Sequence, residues 1–541
     1  MTKLSNRIGL QRHISIFVTL LVLMLLAGGF FSNRVDAAGK DTLVVARAMD
    51  INSLDPHIAF CDTCKVVIGM MYETIVKLGP DNKTILPQIA KSWDVSKDGM
   101  SYTFYLDERA VFADGSPVES KDVKFSIERW QNLKQDSNMY VKSISKVDAS
   151  DPRKVVITVS SWPSELLGQL AVPYAGIVNS DLAMANGAVS SADAPEKDKA
   201  EAWFMKNSAG SSPFVLESYR PDEEIRLKQN PRYWGKKPAI KRVIIKHVPQ
   251  SVSQAQMLES GQVDVAMQID ADTAKTIRSR DVVIKSQPSY YFNYVALVPG
   301  ATNLKVPLTP KVREAIALAI DHEGMLDVTL GGAGRVQPSV IPVEFPGGSG
   351  FPTPRQDLAK ARKLLAEAGH PNGFEILAVY PDLTSYGVNY SVVMQKVQQD
   401  LAKIGIKVIL EPVTMAVLRA RTGGTVPMTI LMWAADYMGS AQYVQYFAMV
   451  PGTTWFYLAS GTTNDMPSLV NHREAELMEK LQKAGAKEAE KLYHEFAKEM
   501  IKDYVIIPIG NPDLLLTYRK NVQGMRYDII TEIPFDEISK R

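Results

Sequence analysis

The chain has 541 residues, more than one hydrophobic core ordinarily serves, so a lone small domain is excluded. Hydrophobic residues make up 46% and charged residues 22%, without low-complexity tracts, which excludes intrinsic disorder as its state. With 61 basic against 59 acidic residues it has no general electrostatic reason to bind nucleic acid or anionic lipid.

The first residues are a different material. Lys3, Arg7 and Arg12 form a basic lead, and 14–26 is an uncharged apolar run of signal-peptide length. Val35-Asp36-Ala37 puts small side chains at the minus-three and minus-one positions of a signal-peptidase site, so cleavage after Ala37 and a mature start near Ala38 are expected. The uncharged stretch continues through Gly28 and Gly29 to Phe31 and approaches a spanning length, but the glycines and the small-residue site suit cleavage better than a retained anchor. No Cys precedes Cys61, so no lipidation site lies near the signal, and a free periplasmic protein of a Gram-negative cell is expected. Cleavage leaves 57 basic and 58 acidic residues, a net charge of −1.

The mature chain alternates strands and helices. Residues 42–46, 155–159, 243–245, 406–410 and 505–509 are β-branched runs that read as strands. Thr353-Pro354-Arg355-Gln356 has the form of a capping box, followed by Leu358, Ala361, Leu364 and Leu365 on one helical face and Gly369 as the stop. Residues 388–404 read as a helix ended by Gly405, and the strand 406–410 follows at once. A helical pair across 474–503, broken around Gly485, leads into the strand from Val505. The class is α/β, and without internal repeats or a Gly/Ser linker its lobes are expected to be joined by strand crossovers.

Catalytic patterns are sparse. The phosphate-loop motif is absent, and Gly331-Gly332-Ala333-Gly334 lacks dinucleotide spacing and a preceding strand, so it reads as a loop. Of seven histidines, no two form the i, i+4 zinc-protease pair, and Ser143-Ile144-Ser145-Lys146 lacks the companion motifs of a Ser-x-x-Lys nucleophile. His57, Cys61, Asp62 and Cys64 crowd into eight residues, a set that a soft metal ion could use. An oxidising compartment favours a Cys61–Cys64 disulfide instead, and two cysteines with one histidine leave a fourth metal ligand unaccounted for. No cofactor is implied.

The segment from Leu86 is more specific. Leu86-Pro87-Gln88-Ile89-Ala90-Lys91-Ser92-Trp93, Asp98-Gly99-Met100-Ser101-Tyr102-Thr103-Phe104, Val111-Phe112-Ala113-Asp114-Gly115 and Lys121-Asp122-Val123 follow one another in an order that resembles the family 5 extracytoplasmic solute-binding proteins. These are the oligopeptide, dipeptide and nickel receptors of ABC transporters. The resemblance extends to Leu54-Asp55-Pro56-His57, to 210–216 with Asn230-Pro231-Arg232-Tyr233-Trp234, and to Leu258-Glu259-Ser260-Gly261-Gln262-Val263-Asp264. Lys311-Val312-Arg313-Glu314-Ala315-Ile316 with Ala319-Ile320-Asp321, and the helix end 364–369, carry it onward.

The resemblance implies a two-lobed, three-domain periplasmic binding protein with the ligand cleft between the lobes. A discontinuous domain I would take 38–72, 206–288 and 505–541, an inserted domain II 73–205, and domain III 289–504. A ligand held between lobes is buried from both sides, and closure can report occupancy to a membrane partner. Trp433-Ala434-Ala435-Asp436-Tyr437 resembles the cleft strand whose Asp pairs with a peptide's α-ammonium group, which gives that role to Asp436 and cleft stacking to Trp433. Phe60, Cys61, Tyr140, Tyr386 and Trp455 complete the expected ligand-binding set.

The expected function is a non-catalytic receptor, acting as a monomer, that captures a peptide or other small amine-bearing solute for an inner-membrane ABC permease. Family positions that hold a carboxylate-binding Arg are occupied here by Ile430 and by the Arg-free run 381–393, and Met438-Gly439-Ser440-Ala441 replaces the familiar Asp-Pro after Tyr437. An oligosaccharide or metal-chelate receptor is therefore the alternative, with Trp455, Phe456 and Tyr457 able to stack on sugar rings. A secreted hydrolase is the alternative of another class, for which the chain offers no catalytic constellation.

Overall fold

The structure, a computed structural model, describes residues 39–160, 165–461 and 466–541. The signal reading of residues 1–37 lies outside the described residues.

Most strands belong to one mixed sheet. Its order is Lys407–Val413, Glu375–Pro381, Met428–Ala434, Tyr291–Leu297, Ile506–Arg519, Val265–Ala266, Thr42–Arg47, Arg242–His247, Glu224–Gln229 and Phe214–Arg220. Tyr291–Leu297 is buried along its whole length, as a strand covered on both faces must be. Ile506–Arg519 outruns the expected 505–509 because it serves two neighbourhoods. Its first residues pair antiparallel with Tyr291–Leu297, Ile506 opposite Ala296, while Asp513 to Arg519 pair with Val282–Pro288. One continuous strand thus ties two halves of the sheet together.

A second, antiparallel sheet runs in the order Ala90–Val95, Ser101–Leu106, Lys154–Val159, Ile144–Asp151. Alternation sets its buried face: Tyr102, Phe104 and Leu106 on one strand meet Val155, Ile157 and Val159 on the next. Ser120–Leu133 covers that face with Val123, Ile127 and Trp130, and a reciprocal Glu119–Asp122 capping box fixes its start.

Two sequence expectations are corrected by local chemistry. The helix expected to start from a box at 353–356 is Leu358–Glu367, because Asp357 accepts the Lys360 N–H as its cap, while the Gln356 side chain donates instead to the Ala319 carbonyl. The helix expected over 388–404 is Tyr390–Ala402, capped by Asn389. Val388–Asn389 pairs back onto Thr384–Ser385 across Tyr386 and Gly387, whose φ values of 49° and 78° make the left-handed two-residue turn that such a hairpin needs. Gly331, with φ 57°, ends the helix His322–Leu330, so that glycine run is a loop start as read.

Candidate functional site

The site grows from the helix Asp62–Met71. Cys61 is its N-cap, accepting the Cys64 N–H on Sγ, and Cys61 and Cys64 are joined in a disulfide. Three residues apart, Asp62 and Lys65 stand on one helical face, and Lys65 is 1% exposed although every residue after it in the helix is apolar. Its ammonium has no short contact. Nζ lies 3.5 Å from Asp436 Oδ1 and 3.9 Å from Asp62 Oδ1, and it points at the carbonyls of Ala435 and Ile529 at 3.4 and 3.5 Å.

Asp436 follows the strand Met428–Ala434 and is 3% exposed. Tyr140 donates its hydroxyl to Oδ2 at 2.7 Å, and the Asp436 N–H donates to Gln442 Oε1 at 3.0 Å. Burial pushes the Asp436 carboxyl above its usual range, and Lys65 and the Tyr140 hydroxyl pull it back. Arg47, fully buried at the end of the first strand, donates to Asp62 Oδ2 and to Glu532 Oε1, both at 2.8 Å. Tyr386 donates to Glu532 Oε1 at 2.6 Å and stacks on Tyr291 with ring centroids 3.6 Å apart. Burial, and then the neighbouring Glu532, push the Asp62 carboxyl up to about 8; burial raises Glu532 as well. Arg47 holds the two carboxyls side by side, and their second oxygens, Asp62 Oδ1 and Glu532 Oε2, are buried without a hydrogen-bond partner, an arrangement that one proton held between the pair satisfies.

Aromatic rings wall this chamber. Phe60 lies 5.4 Å from Tyr174 and 6.3 Å from both Trp433 and Tyr446, with Trp433 and Tyr446 at 4.2 Å. The Tyr291 and Tyr443 hydroxyls are buried without a hydrogen-bond partner, in a setting where nearly every buried polar group has one. Lys65 Nζ is 5.8 Å from the Tyr291 ring centre, and Tyr443 is 6.4 Å from Trp433.

Beside the chamber, Glu165 accepts the Tyr437 hydroxyl at 2.8 Å and the N–H groups of Ser440 and Ala441 at 2.9 and 3.0 Å. Burial raises its carboxyl, and Tyr437 opposes the rise. A Cβ on Gly439 would collide with both Glu165 and the Tyr437 ring, so the Met438-Gly439-Ser440-Ala441 departure makes room for this carboxylate.

The expected residues divide. Phe60, Cys61, Tyr140, Tyr386, Trp433 and Asp436 come together through Lys65, Asp62 and Glu532. Trp455 does not: it is fully buried, edge-on to Tyr294 at 5.8 Å, on the same face of the sheet as Trp433 but separated from it by Phe447, which lies 5.3 Å from Tyr294 and 5.4 Å from Trp433. His57 is also elsewhere, donating from Nε2 to the Gly176 carbonyl and accepting from Arg129 at Nδ1, and burial, then Arg129, lower it to about 4. Among the described residues, no group of three or more His, Cys, Asp or Glu could hold a metal ion. Sequence reasoning missed Lys65, Arg47 and Glu532. A single Lys inside the apolar run of 62–71 was the available signal for the first; Glu532 had none.

Comparison with known proteins places the chain. Residues 84–454 match the family described as bacterial extracellular solute-binding proteins, family 5 Middle. The probable D,D-dipeptide-binding periplasmic protein DdpA of Escherichia coli strain K12 is 28% identical, over 97% of this chain and 99% of its own length. The glutathione-binding protein GsiB of Salmonella typhi is 26% identical, over 92% of this chain and 94% of its own. The Helicobacter pylori ABC transporter-associated periplasmic binding protein DppA, solved with the peptide STSA, superposes with a TM-score of 0.78 at 23% identity, covering 92% of this chain and 98% of its own, and shares the fold. Among the described residues no helix is long and apolar enough to cross a membrane. The chain belongs to the bacterial extracellular solute-binding proteins of family 5, the solute-capturing components of ABC importers.

Proposed function

We propose that this receptor captures a peptide or another small amine-bearing solute in the chamber around Asp436 and delivers it to an inner-membrane permease. The observation that carries the reading is Asp436 itself, a carboxylate buried among aromatic rings with the partnerless Tyr443 hydroxyl near it. A cationic group taken out of water needs such a counter-charge. The two relatives support it by chemistry, since a D,D-dipeptide and glutathione each carry a free α-ammonium group.

Lobe closure completes the proposal. Domain I (38–72, 206–288, 505–541), domain II (73–205) and domain III (289–504) act as two lobes, with the strand Ile506–Arg519 as their shared member. Phe60, Cys61, Tyr140, Tyr386, Trp433 and Asp436 line the ligand side, and Trp455 packs edge-on to Tyr294 on the Trp433 face of the sheet. The mature protein is a periplasmic monomer without enzymatic activity, starting near Ala38. Native mass spectrometry of the protein from its own periplasm, with N-terminal sequencing, tests this. A co-purified amine and a start near residue 38 are expected. A saccharide on the Phe60–Trp433 shelf would overturn the amine reading, and an intact Met1 segment in membranes would overturn the free receptor.

A further inference from the structure

The charges in the chamber do not balance as a closed set. Arg47 and Lys65 supply two cations, and Asp62, Glu532 and Asp436 supply three carboxyls. The remaining charged group facing them, Asp50, sits at the rim with Arg419 at 3.9 Å, and the facing phenols Tyr140, Tyr174, Tyr291, Tyr390 and Tyr527 are pushed by burial above their ordinary range and bring no charge at neutral pH. An unpaired buried negative charge is costly, so Asp62 and Glu532 hold one proton between them. The set can release that proton and accept one further cation without stranding any group.

Lys65 stands where this exchange turns. Its ammonium hangs between Asp436 and Asp62, closer to the first, and makes none of the 2.7–2.9 Å bonds that a charged donor forms with a committed acceptor. Its long flexible stem can move the ammonium by the small distance that separates the two carboxyls.

Building on the amine reading above, we propose that Lys65 is a tethered stand-in for the ligand's ammonium group: the incoming amine takes its place on Asp436, Lys65 turns to Asp62, and the proton shared by Asp62 and Glu532 leaves to solvent. Amine recognition and proton release are then one event. Lys65 selects against weak cations, because an entering amine must outcompete an ammonium already seated. The Asp62 carboxyl, held at about 8, sets the pH range. Below that value each binding event expels a proton, so affinity rises about tenfold per pH unit, and above it affinity levels off.

The test uses the full mature chain with defined probes. Lys65→Met empties the seat, and methylammonium should raise its melting temperature in a saturable way, while tetramethylammonium, which has no N–H to donate, should not. Wild type should respond to neither. Equal behaviour of Lys65→Met and wild type toward methylammonium overturns the stand-in. Should the Met variant not fold, wild type alone decides: calorimetry with L-alanyl-L-alanine and D-alanyl-D-alanine, in buffers of differing ionisation enthalpy near pH 7, should give close to one proton released per dipeptide bound. No release, or uptake, overturns the proposal while leaving the receptor reading intact. Failure of both dipeptides to bind sinks the peptide reading instead, and the methylammonium comparison still decides the role of Lys65.

Discussion

Replacing Glu165 by Ala should uncouple closure from folding. The donors on this carboxylate include the Tyr437 hydroxyl and the N–H groups of Ser440 and Ala441, with Tyr493 a further partner. Under the proposed division, residue 165 lies in the inserted domain and 437–441 in the opposite lobe, so these bonds exist only when the lobes meet. A hydrogen bond to a charged group is worth about 1.5–3 kcal/mol. Groups that share one acceptor are not additive, and opening returns these donors to water, so about 3–4 kcal/mol of closure is lost rather than the full sum. At about 1.4 kcal/mol per tenfold, affinity for the co-purified solute should fall roughly a hundredfold to a thousandfold. Glu165→Gln keeps one acceptor but turns an NH2 group toward a donor, and should fall roughly tenfold. Calorimetry measures both, and the melting temperature of the unliganded variants should stay near wild type. Unchanged affinity in Glu165→Ala refutes the reasoning, and an equal loss of unliganded stability would show that the contacts hold the fold rather than the closed state.

Trp455→Ala should cost about 3–5 kcal/mol in urea unfolding through the cavity it leaves, with ligand affinity unchanged; a matching affinity loss would return Trp455 to the binding site. His57, held at about 4 against an ordinary 6.5, stays neutral in the fold while the unfolded chain takes a proton. Its share of stability is complete above pH ~6.5 and is lost as pH falls toward ~4, about 3 kcal/mol in all. Acid-unfolding curves of His57→Gln should be flatter across that window, and an unchanged acid limb removes the assignment. Replacing Cys61 and Cys64 together by Ser opens a very short loop, so about 2 kcal/mol of stability should go, together with affinity, since Cys61 caps the helix that carries Asp62 and Lys65. Full affinity in the double variant would mean the helix start needs no covalent brace.

The sequence by itself determined the local elements and the family. Alternation in 155–159 and the apolar face of 358–365 depend only on residues near one another in the chain, which is why they were legible; the start of the latter helix was missed because Asp357 competed with Thr353 for the cap. The motif around Asp436 was legible for the same reason, whereas the distance of Trp455 from the charged cluster was not, because an isolated aromatic residue does not say that Tyr294 and Phe447 will pack between it and Trp433. The charge chamber was decided by the tertiary structure alone. Arg47, Lys65, Asp436 and Glu532 are spread over 485 residues, and each is an ordinary charged residue until strand pairing and burial remove the water between them. Only then does the excess of carboxyls over cations acquire an energy, because charge balance matters where the solvent that would otherwise screen it has been excluded.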